Sequence, residues 1–321
     1  MSTVYLLVSP RSGKRGNKAT AVAEIVQKAI AATGQNTKNI SNRDVKDSLQ
    51  AARNAVAAGA KRLLVVGGDG TVNVALQAVA ESDTVLGIVP AGTGNDFAST
   101  FGLHRLTTEQ AVKRALGASH LFDAIKIDSI ESRSNETSWV ASSITGGFSV
   151  DVNTRAERLR FILDKSRYVV ATLLTVPQLR HTPLAFTVDN QRHEIVTTFW
   201  VLANTCTFGG GMAVSPTADP CDGMLELVVV ADASRRLLLR MLPTVFNGSH
   251  IHHPKVHTFK GKQITIENVS KNSFCKDRSG KDLARHEHAQ YQLGGDGELI
   301  GCLPVTASVV PNAIRLAVDP P

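Results

Sequence analysis

Two glycine-rich loops constrain this 321-residue chain more than any other feature. The first, Val65-Val66-Gly67-Gly68-Asp69-Gly70-Thr71-Val72-Asn73, follows the apolar run 63–66 and precedes Val72, Leu76 and Val79 at helical spacing. That order reads strand, turn, helix. Glycines let the backbone turn sharply and let N–H groups approach a phosphate closely. The helix start behind them favours negative charge. Asp69 would repel a bare phosphate, so it suits a site where a divalent cation or its water shell bridges the two. A plain βα turn would look much the same. The second copy tips the balance: Ile88-Val89-Pro90-Ala91-Gly92-Thr93-Gly94-Asn95-Asp96-Phe97 again follows an apolar run, 85–89. Two neighbouring loops that each combine Thr with Asp and Asn point to a nucleotide phosphate site.

The surrounding pattern agrees. A short apolar strand, 4–8, ends in Ser9-Pro10-Arg11-Ser12-Gly13-Lys14-Arg15-Gly16-Asn17-Lys18, and an Ala-rich helix follows. That basic loop could form a third wall for phosphates; alone it would be only a solvated turn. Residues 37–41 read as a second short strand, and 45–58 as a helix with Val45, Leu49, Ala52 and Val56 on one face. With strands at 63–66 and 85–89 the order is β-α-β-α-β. It predicts a parallel sheet with helices on its faces and a site at the strand C-termini. A further helix is expected over 107–116.

Beyond 122–127 the character changes, and a domain boundary is expected near Asp128. Residues 131–138 look like a hairpin tip and 139–145 like a strand. The stretch 155–180 reads as one long helix mixing cations with large apolar side chains. We read it as burying one face on a sheet rather than lying on a bilayer. Strand patterns recur at 185–188, 195–203, 225–230 and 263–267, which suggests a sandwich-like domain. Strands at 305–309 and 314–318 close the chain. Residues 269–290 are polar and rich in cations, a loop insertion.

Composition sets the outer bounds. Hydrophobic residues make up 43% and charged residues 20%, as in ordinary globular proteins with room here for two domains. No apolar run nears the ~20 residues of a membrane span, and the N-terminus lacks a basic leader, so no signal peptide is expected. Cys206, Cys221, Cys275 and Cys302 form no C-x-x-C pair, consistent with reduced thiols in the cytoplasm. The net charge of +7 fits an anionic nucleotide, an anionic membrane surface or a merely solvated surface. Aromatics at 5% and the absence of a nucleic-acid motif argue against nucleic acid. His250, His252, His253 and His257 have no Cys or carboxylate at ligand spacing, so they read as surface or packing histidines.

The residues Gly67-Gly68-Asp69-Gly70-Thr71 with Asn73, then Pro90-Ala91-Gly92-Thr93-Gly94-Asn95-Asp96, resemble the diacylglycerol kinase catalytic family. Its wider relatives include sphingosine and ceramide kinases, NAD kinases and phosphofructokinases. The loop at Ser9 resembles the family's Asn-Pro-x-Ser-Gly motif, with Ser9 in the Asn place. One departure stands out: Val74 occupies the position where the family carries Glu. The resemblance implies nucleotide contacts from Ser9, Pro10, Arg11, Ser12, Gly13, Ser41, Gly67, Gly68, Asp69, Gly70, Thr71, Asn73, Thr93, Gly94 and Asn95, with Lys14 beside them. The turn Ser215-Pro216-Thr217-Ala218-Asp219-Pro220-Cys221-Asp222-Gly223-Met224 reads alone as a common Asp-Gly turn. It resembles the family's Mg²⁺ site, implying Asp219, Asp222 and the Met224 carbonyl as ligands.

Gly294-Gly295-Asp296-Gly297-Glu298 resembles the family's Asp-Gly-Glu motif. A lipid alcohol is essentially un-ionised at pH 7, so a carboxylate must take its proton as the O–P bond forms. Glu298 is assigned as general base and Asp296 as its partner. The implied protein is an ATP- and Mg²⁺-dependent lipid kinase, with diacylglycerol as the default acceptor. The implied architecture is an NAD kinase/phosphofructokinase-like α/β domain at 1–127, completed by 305–321, and a β-rich lipid-substrate domain at 128–304. Cytoplasmic location, transient peripheral membrane association and a homodimer complete the expectation. Two rivals stay open: an NAD kinase, and a nucleotide- or membrane-binding regulatory protein without catalysis.

Overall fold

The computed structural model describes residues 3–9, 16–92, 95–131, 139–159, 164–269 and 292–319. The first part alternates strand and helix: β1 (Thr3–Val8), α1 (Gly16–Ala32), β2 (Asn36–Asn39), α2 (Val45–Ala57), β3 (Arg62–Gly67), α3 (Asp69–Val79), β4 (Val85–Pro90), α4 (Asp96–Thr100) and α5 (Thr108–Leu116). Local chemistry sets the helix starts. Asp44 accepts the N–H of Lys46 at the head of α2, and Thr107 with Gln110 forms a capping box on α5. Leu63, Leu64, Val65 and Val66 of β3 are all fully buried. Leu63 and Val65 pack with Ala52, Val72 and Leu76; Leu64 and Val66 pack with Val26, Ile30, Val112 and Ala115. A strand covered by helices on both faces needs such an unbroken apolar run.

The chain continues through β5 (His120–Glu131), β6 (Trp139–Val140), β7 (Ser143–Gly146), α6 (Phe148–Arg158), α7 (Asp164–Thr175), β8 (Thr182–Val188), β9 (Gln191–Ala203), β10 (Leu225–Ala231), α8 (Arg235–Val245), β11 (Val256–Gly261), β12 (Gln263–Asn268), β13 (Gln292–Gly295) and β14 (Glu298–Leu316). Pairing runs from β14 through β13, β7, β9, β8 and β12 back to β14, a closed antiparallel ring. Its interior holds Ile144, Phe186, Trp200, Leu202, Leu227, Ile264 and Val305. On β9 and β10 the alternate residues Val201, Ala203, Val228 and Val230 face outward, with Met241 of α8 in the same cluster. The two-residue period of a strand thus serves two cores at once.

The expectation of a parallel sheet needs correction. The described strands form one continuous, mixed and mostly antiparallel sheet. Parallel pairing is confined to β2-β1-β3-β4 and the short β4–β14 contact. The reason is β14, a single strand where two were expected, which pairs antiparallel with β5, β12 and β13. Local β-α alternation cannot reveal so distant a partner. The boundary set near Asp128 falls inside the continuous strand β5. The long helix expected over 155–180 is two helices, α6 and α7. The strand expected at 139–145 is broken at Ala141 and Ser142. Residues 235–245 form a helix that the sequence pattern does not announce, α8, capped by Ser234, whose side chain accepts the Leu237 N–H. The hairpin tip expected at 131–138, apart from Glu131 at the end of β5, and nearly all of the insertion at 269–290 lie outside the described residues. Among the described residues, no helix is long and apolar enough to cross a membrane.

Candidate active site

The two glycine turns follow adjacent strands and touch backbone to backbone. A Cβ placed on Gly68 would lie 3.1 Å from the Gly92 Cα, and one on Gly92 would lie 2.9 Å from the Gly68 nitrogen. Side chains at either position would drive the loops apart. Gly67 is equally confined, since its Cβ would meet the Thr71 Oγ1 at 2.6 Å and the Ser9 Cβ at 3.3 Å. Ala91 N–H donates to the Gly67 carbonyl at 2.9 Å, and Ser9 N–H to the Val66 carbonyl at 2.9 Å. Ser9, the first glycine turn and the second therefore share one end of the β1-β3-β4 sheet.

Side chains lock this arrangement. Asn95 takes a left-handed conformation (φ 55°), accepts the Gly92 N–H at 3.1 Å and donates to the Gly92 carbonyl at 3.0 Å. Asp69 Oδ1 accepts the Phe97 N–H at 3.2 Å, tying the first turn to α4. Among the described residues the buried Asn73 Nδ2 has no hydrogen-bond partner, an orphan donor of the kind a bound group would satisfy. Val74, where the family carries Glu, packs against the core. Ser41 lies just past β2, where its Oγ accepts the Val8 N–H at 2.7 Å and donates to Asn39. Pro10, Arg11, Ser12, Gly13, Lys14, Thr93 and Gly94 lie outside the described residues.

The turn between β13 and β14 brings the acidic pair to the first glycine turn. Glu298 is exposed, and its Oε1 would lie 2.9 Å from a Cβ on Gly70. A side chain at 70 would make that carboxylate shift from its present place. Asp296 behaves differently. Its oxygens accept the N–H groups of Ala141 (2.7 Å), Ser142 (2.7 Å) and Ser143 (3.3 Å). Burial nevertheless pushes its carboxyl up to about 6; the three N–H bonds pull it down, and the charge of Asp69 adds to the rise. The side chain thus clamps the corner between β6 and β7. Gln77 of α3 holds the same corner through both backbone groups of Trp139, at 2.7 and 3.0 Å.

A second acidic turn lies between β9 and β10. Asp219 Oδ1 accepts the Cys221 N–H at 3.0 Å, and Asp222 Oδ1 accepts the Met224 N–H at 2.9 Å. Asp222 Oδ2 is 3.4 Å from the Lys260 Nζ. Sequence reasoning missed a third carboxylate here, Asp123. It is buried, accepts the N–H groups of Gly223 (2.7 Å) and Asn312 (2.9 Å), and is raised first by burial and then by Asp222 and Asp219. Its only signal was an acid inside the apolar strand Phe122-Asp123-Ala124-Ile125. The oxygen donors of Asp219, Asp222 and the Met224 carbonyl suit a hard cation chemically. Among the described residues no three acidic, His or Cys side chains converge on one metal position, so such a cation would need carbonyl and water ligands as well.

An apolar cavity of about 100 Å³ lies between α6, α7, α8 and the outer face of β9–β10. Phe148, Val152, Tyr168, Phe199, Leu238 and Met241 line it. A Cβ on Gly294 of β13 would sit 3.8 Å from Val150 in the first turn of α6, so the cavity wall packs on the strand leading to Asp296. Of the histidines, His250 is buried, with Nε2 3.0 Å from the Val214 carbonyl, whereas His252 and His257 are exposed.

Comparison with known proteins gives a consistent picture. Residues 3–127 match the model of the diacylglycerol kinase catalytic domain, and residues 142–318 that of the YegS C-terminal NAD kinase beta sandwich-like domain. The chain is 31% identical over 315 residues to a diacylglycerol kinase of Mycobacterium tuberculosis, covering 98% of this chain and 94% of that one. It is 23% identical over 308 residues to a diacylglycerol kinase of Bacillus subtilis, covering 95% and 92%. The crystal structure of a diacylglycerol kinase from Bacillus anthracis superposes with a TM-score of 0.69 at 16% identity, covering 99% and 97%, a likeness of fold.

Proposed function

Because this chain belongs to the diacylglycerol kinase catalytic family and is a lipid kinase, we propose that it transfers the γ-phosphoryl of ATP to the hydroxyl of diacylglycerol, giving phosphatidic acid. The observation that carries the reading is the exposed Glu298 carboxylate against Gly70, in the first turn of α3 that follows the first glycine loop. The acceptor oxygen attacks the γ-phosphorus in line, and the bond to the β-phosphate oxygen breaks, so ADP leaves with the electron pair. Glu298 takes the hydroxyl proton. Gly67, Gly68, Gly70, Thr71 and Asn95 offer backbone or side-chain donors to the phosphates, and Asn73 offers an Nδ2 with no partner among the described residues; by family resemblance Thr93, Gly94 and the loop from Ser9 to Lys14 add further phosphate contacts. Asp69 and Asp296 hold the two loops and the β6–β7 corner around that position.

Asp219, Asp222 and the Met224 carbonyl are the residues that would hold a structural Mg²⁺ at the second acidic turn, where the ion would offset the charge of those carboxylates. The apolar lining of the cavity beside α6 favours a lipid over a polar acceptor, and at about 100 Å³ it would have to widen to take an acyl chain. The working location is a cytoplasmic membrane surface, approached peripherally by a homodimer. The test is ATP- and Mg²⁺-dependent phosphorylation across lipid alcohols in mixed micelles, with NAD included. Phosphatidic acid supports the reading. Transfer to another lipid corrects the substrate, and transfer to NAD overturns the acceptor class.

A further inference from the structure

The surface of α8 is unusual in charge and in what it leaves exposed. Arg235, Arg236, Leu239, Arg240, Pro243 and Phe246 form its outer stripe, at helical spacing. Leu239 is 41% and Phe246 40% exposed. The opposite stripe, Leu238, Met241, Leu242 and Val245, lines the apolar cavity. The helix therefore already satisfies its core with one face, and the leucine and phenylalanine on the other are not needed for packing. None of Arg235, Arg236 or Arg240 has an ion-pair partner among the described residues. No Asp or Glu occurs anywhere in residues 233–266; of the lysines there, Lys255 pairs with Asp232 and Lys260 with Asp222 and Glu226, so the cations of α8 itself carry the charge of this face. The neighbouring end of α7 adds Leu173 and Leu174, 47% and 48% exposed, and the 3₁₀ turn Val176–Gln178 that continues it packs against α8.

We infer that the outer face of α8, with the end of α7, is the surface by which this protein docks on an anionic lipid bilayer. Cations flanking exposed Leu and Phe on a helix with no acidic residue match a surface that is anionic at the headgroups and apolar beneath. A nucleic acid would have no use for the leucines. A protein partner would need an acidic ring around an apolar cleft, and failure of the wild type to bind any vesicle would point to one. The position also fits: the helix that meets the bilayer is the helix that walls the apolar cavity. The inference rests on the lipid-acceptor reading for its motive, while its evidence is the charge and exposure of α8.

The test is sedimentation of the full chain with vesicles of neutral phosphatidylcholine, or of the same lipid carrying 30% phosphatidylglycerol on the order of cellular anionic content. Wild type is expected to partition onto the anionic vesicles only, less so as salt rises. The triple variant Arg235→Gln, Arg236→Gln, Arg240→Gln is expected to bind about 100-fold more weakly, from ~1 kcal/mol for each cation near the surface. A Leu239→Trp variant is expected to gain a blue-shifted emission that brominated lipid quenches. Unchanged vesicle binding by the triple variant, or an unquenched Trp at 239, overturns the inference. Binding to neutral vesicles that equals binding to anionic ones overturns it too, as does failure of wild type to bind any vesicle. Phosphorylation of a short-chain, dispersed diacylglycerol, run in parallel, keeps the two readings apart. Retained activity with lost vesicle binding in the triple variant supports docking through α8. Vesicle binding by a wild type that phosphorylates nothing leaves docking intact and removes the kinase reading.

Discussion

The two acidic turns of this protein carry similar residues, an Asp followed within a few positions by glycine and a second acidic or metal-facing group, yet they sit in opposite environments. In the turn after β13, Asp296 is wrapped by three backbone N–H groups while Glu298 stands exposed against Gly70. In the turn before β10, Asp219 and Asp222 lie exposed, Lys260 reaches Asp222, and the buried acids beside them are Glu226 and, from far off in sequence, Asp123. One turn separates an anchoring carboxylate from a free one. The other gathers carboxylates whose mutual repulsion asks for a counter-cation. The lesson is that the neighbours of an acid, more than its motif, divide reactive from supporting roles.

That contrast breaks first at Glu298. Glu298→Gln is expected to lower kcat by roughly 10²–10⁴-fold, the usual contribution of a general base, with ATP binding retained by calorimetry. An undiminished kcat would return Glu298 to the class of the exposed acids in the other turn.

Asp296 sharpens the contrast through pH. Its folded carboxyl is raised to about 6 from 3.8, so the stability of its protonated form is fully present below pH 3.8 and is lost as pH rises through 6. Relative to Asp296→Asn, which does not titrate, wild type should lose on the order of 3 kcal/mol between pH 4 and pH 7. Urea melts at several pH values measure it. A flat difference would mean that the three N–H bonds outweigh burial.

Gly92→Ala tests the frame that holds Glu298 opposite the phosphates. Its methyl would press on the Gly68 backbone, so a loss of ~2 kcal/mol in stability, typical of overpacking, and weaker ATP binding are expected. Thermal melts with and without ATP separate the two effects. The smallest change belongs to the second turn. Asp222→Asn should alter stability by less than ~1 kcal/mol, since its pair with Lys260 is solvent-screened. It should also abolish any rise of Tm with added Mg²⁺, measured by scanning calorimetry.

Much of the phosphate end was legible in sequence because its causes are local. Gly67 to Asn73 form a turn whose glycines lie within a few positions of one another, and Asn95 holds Gly92 from three positions away. What was not legible depends on distant partners. The N–H groups that hold Asp296 come from 141–143, and those that hold Asp123 come from Gly223 and Asn312. Hydropathy also split β14 in two, since Pro311 and Asn312 interrupt its apolar pattern, although Asn312 is the residue that reaches Asp123. The buried face of α8 has the spacing of an ordinary packing helix, and its exposed stripe acquires meaning only once the other face is known to be filled.

β14 has a consequence for biosynthesis. Arg315 and Leu316 pair with β4, and the same strand borders β5, β12 and β13. A ribosome that has released α1 through β4 has therefore exported a nucleotide half whose sheet still lacks its last neighbour. Long-range pairing of that kind folds slowly, with an open strand edge for the interval. The nascent chain should hold native-like stability in neither half until residue 316 clears the exit tunnel, and a chaperone that shields the edge of β4 would be most useful during that wait.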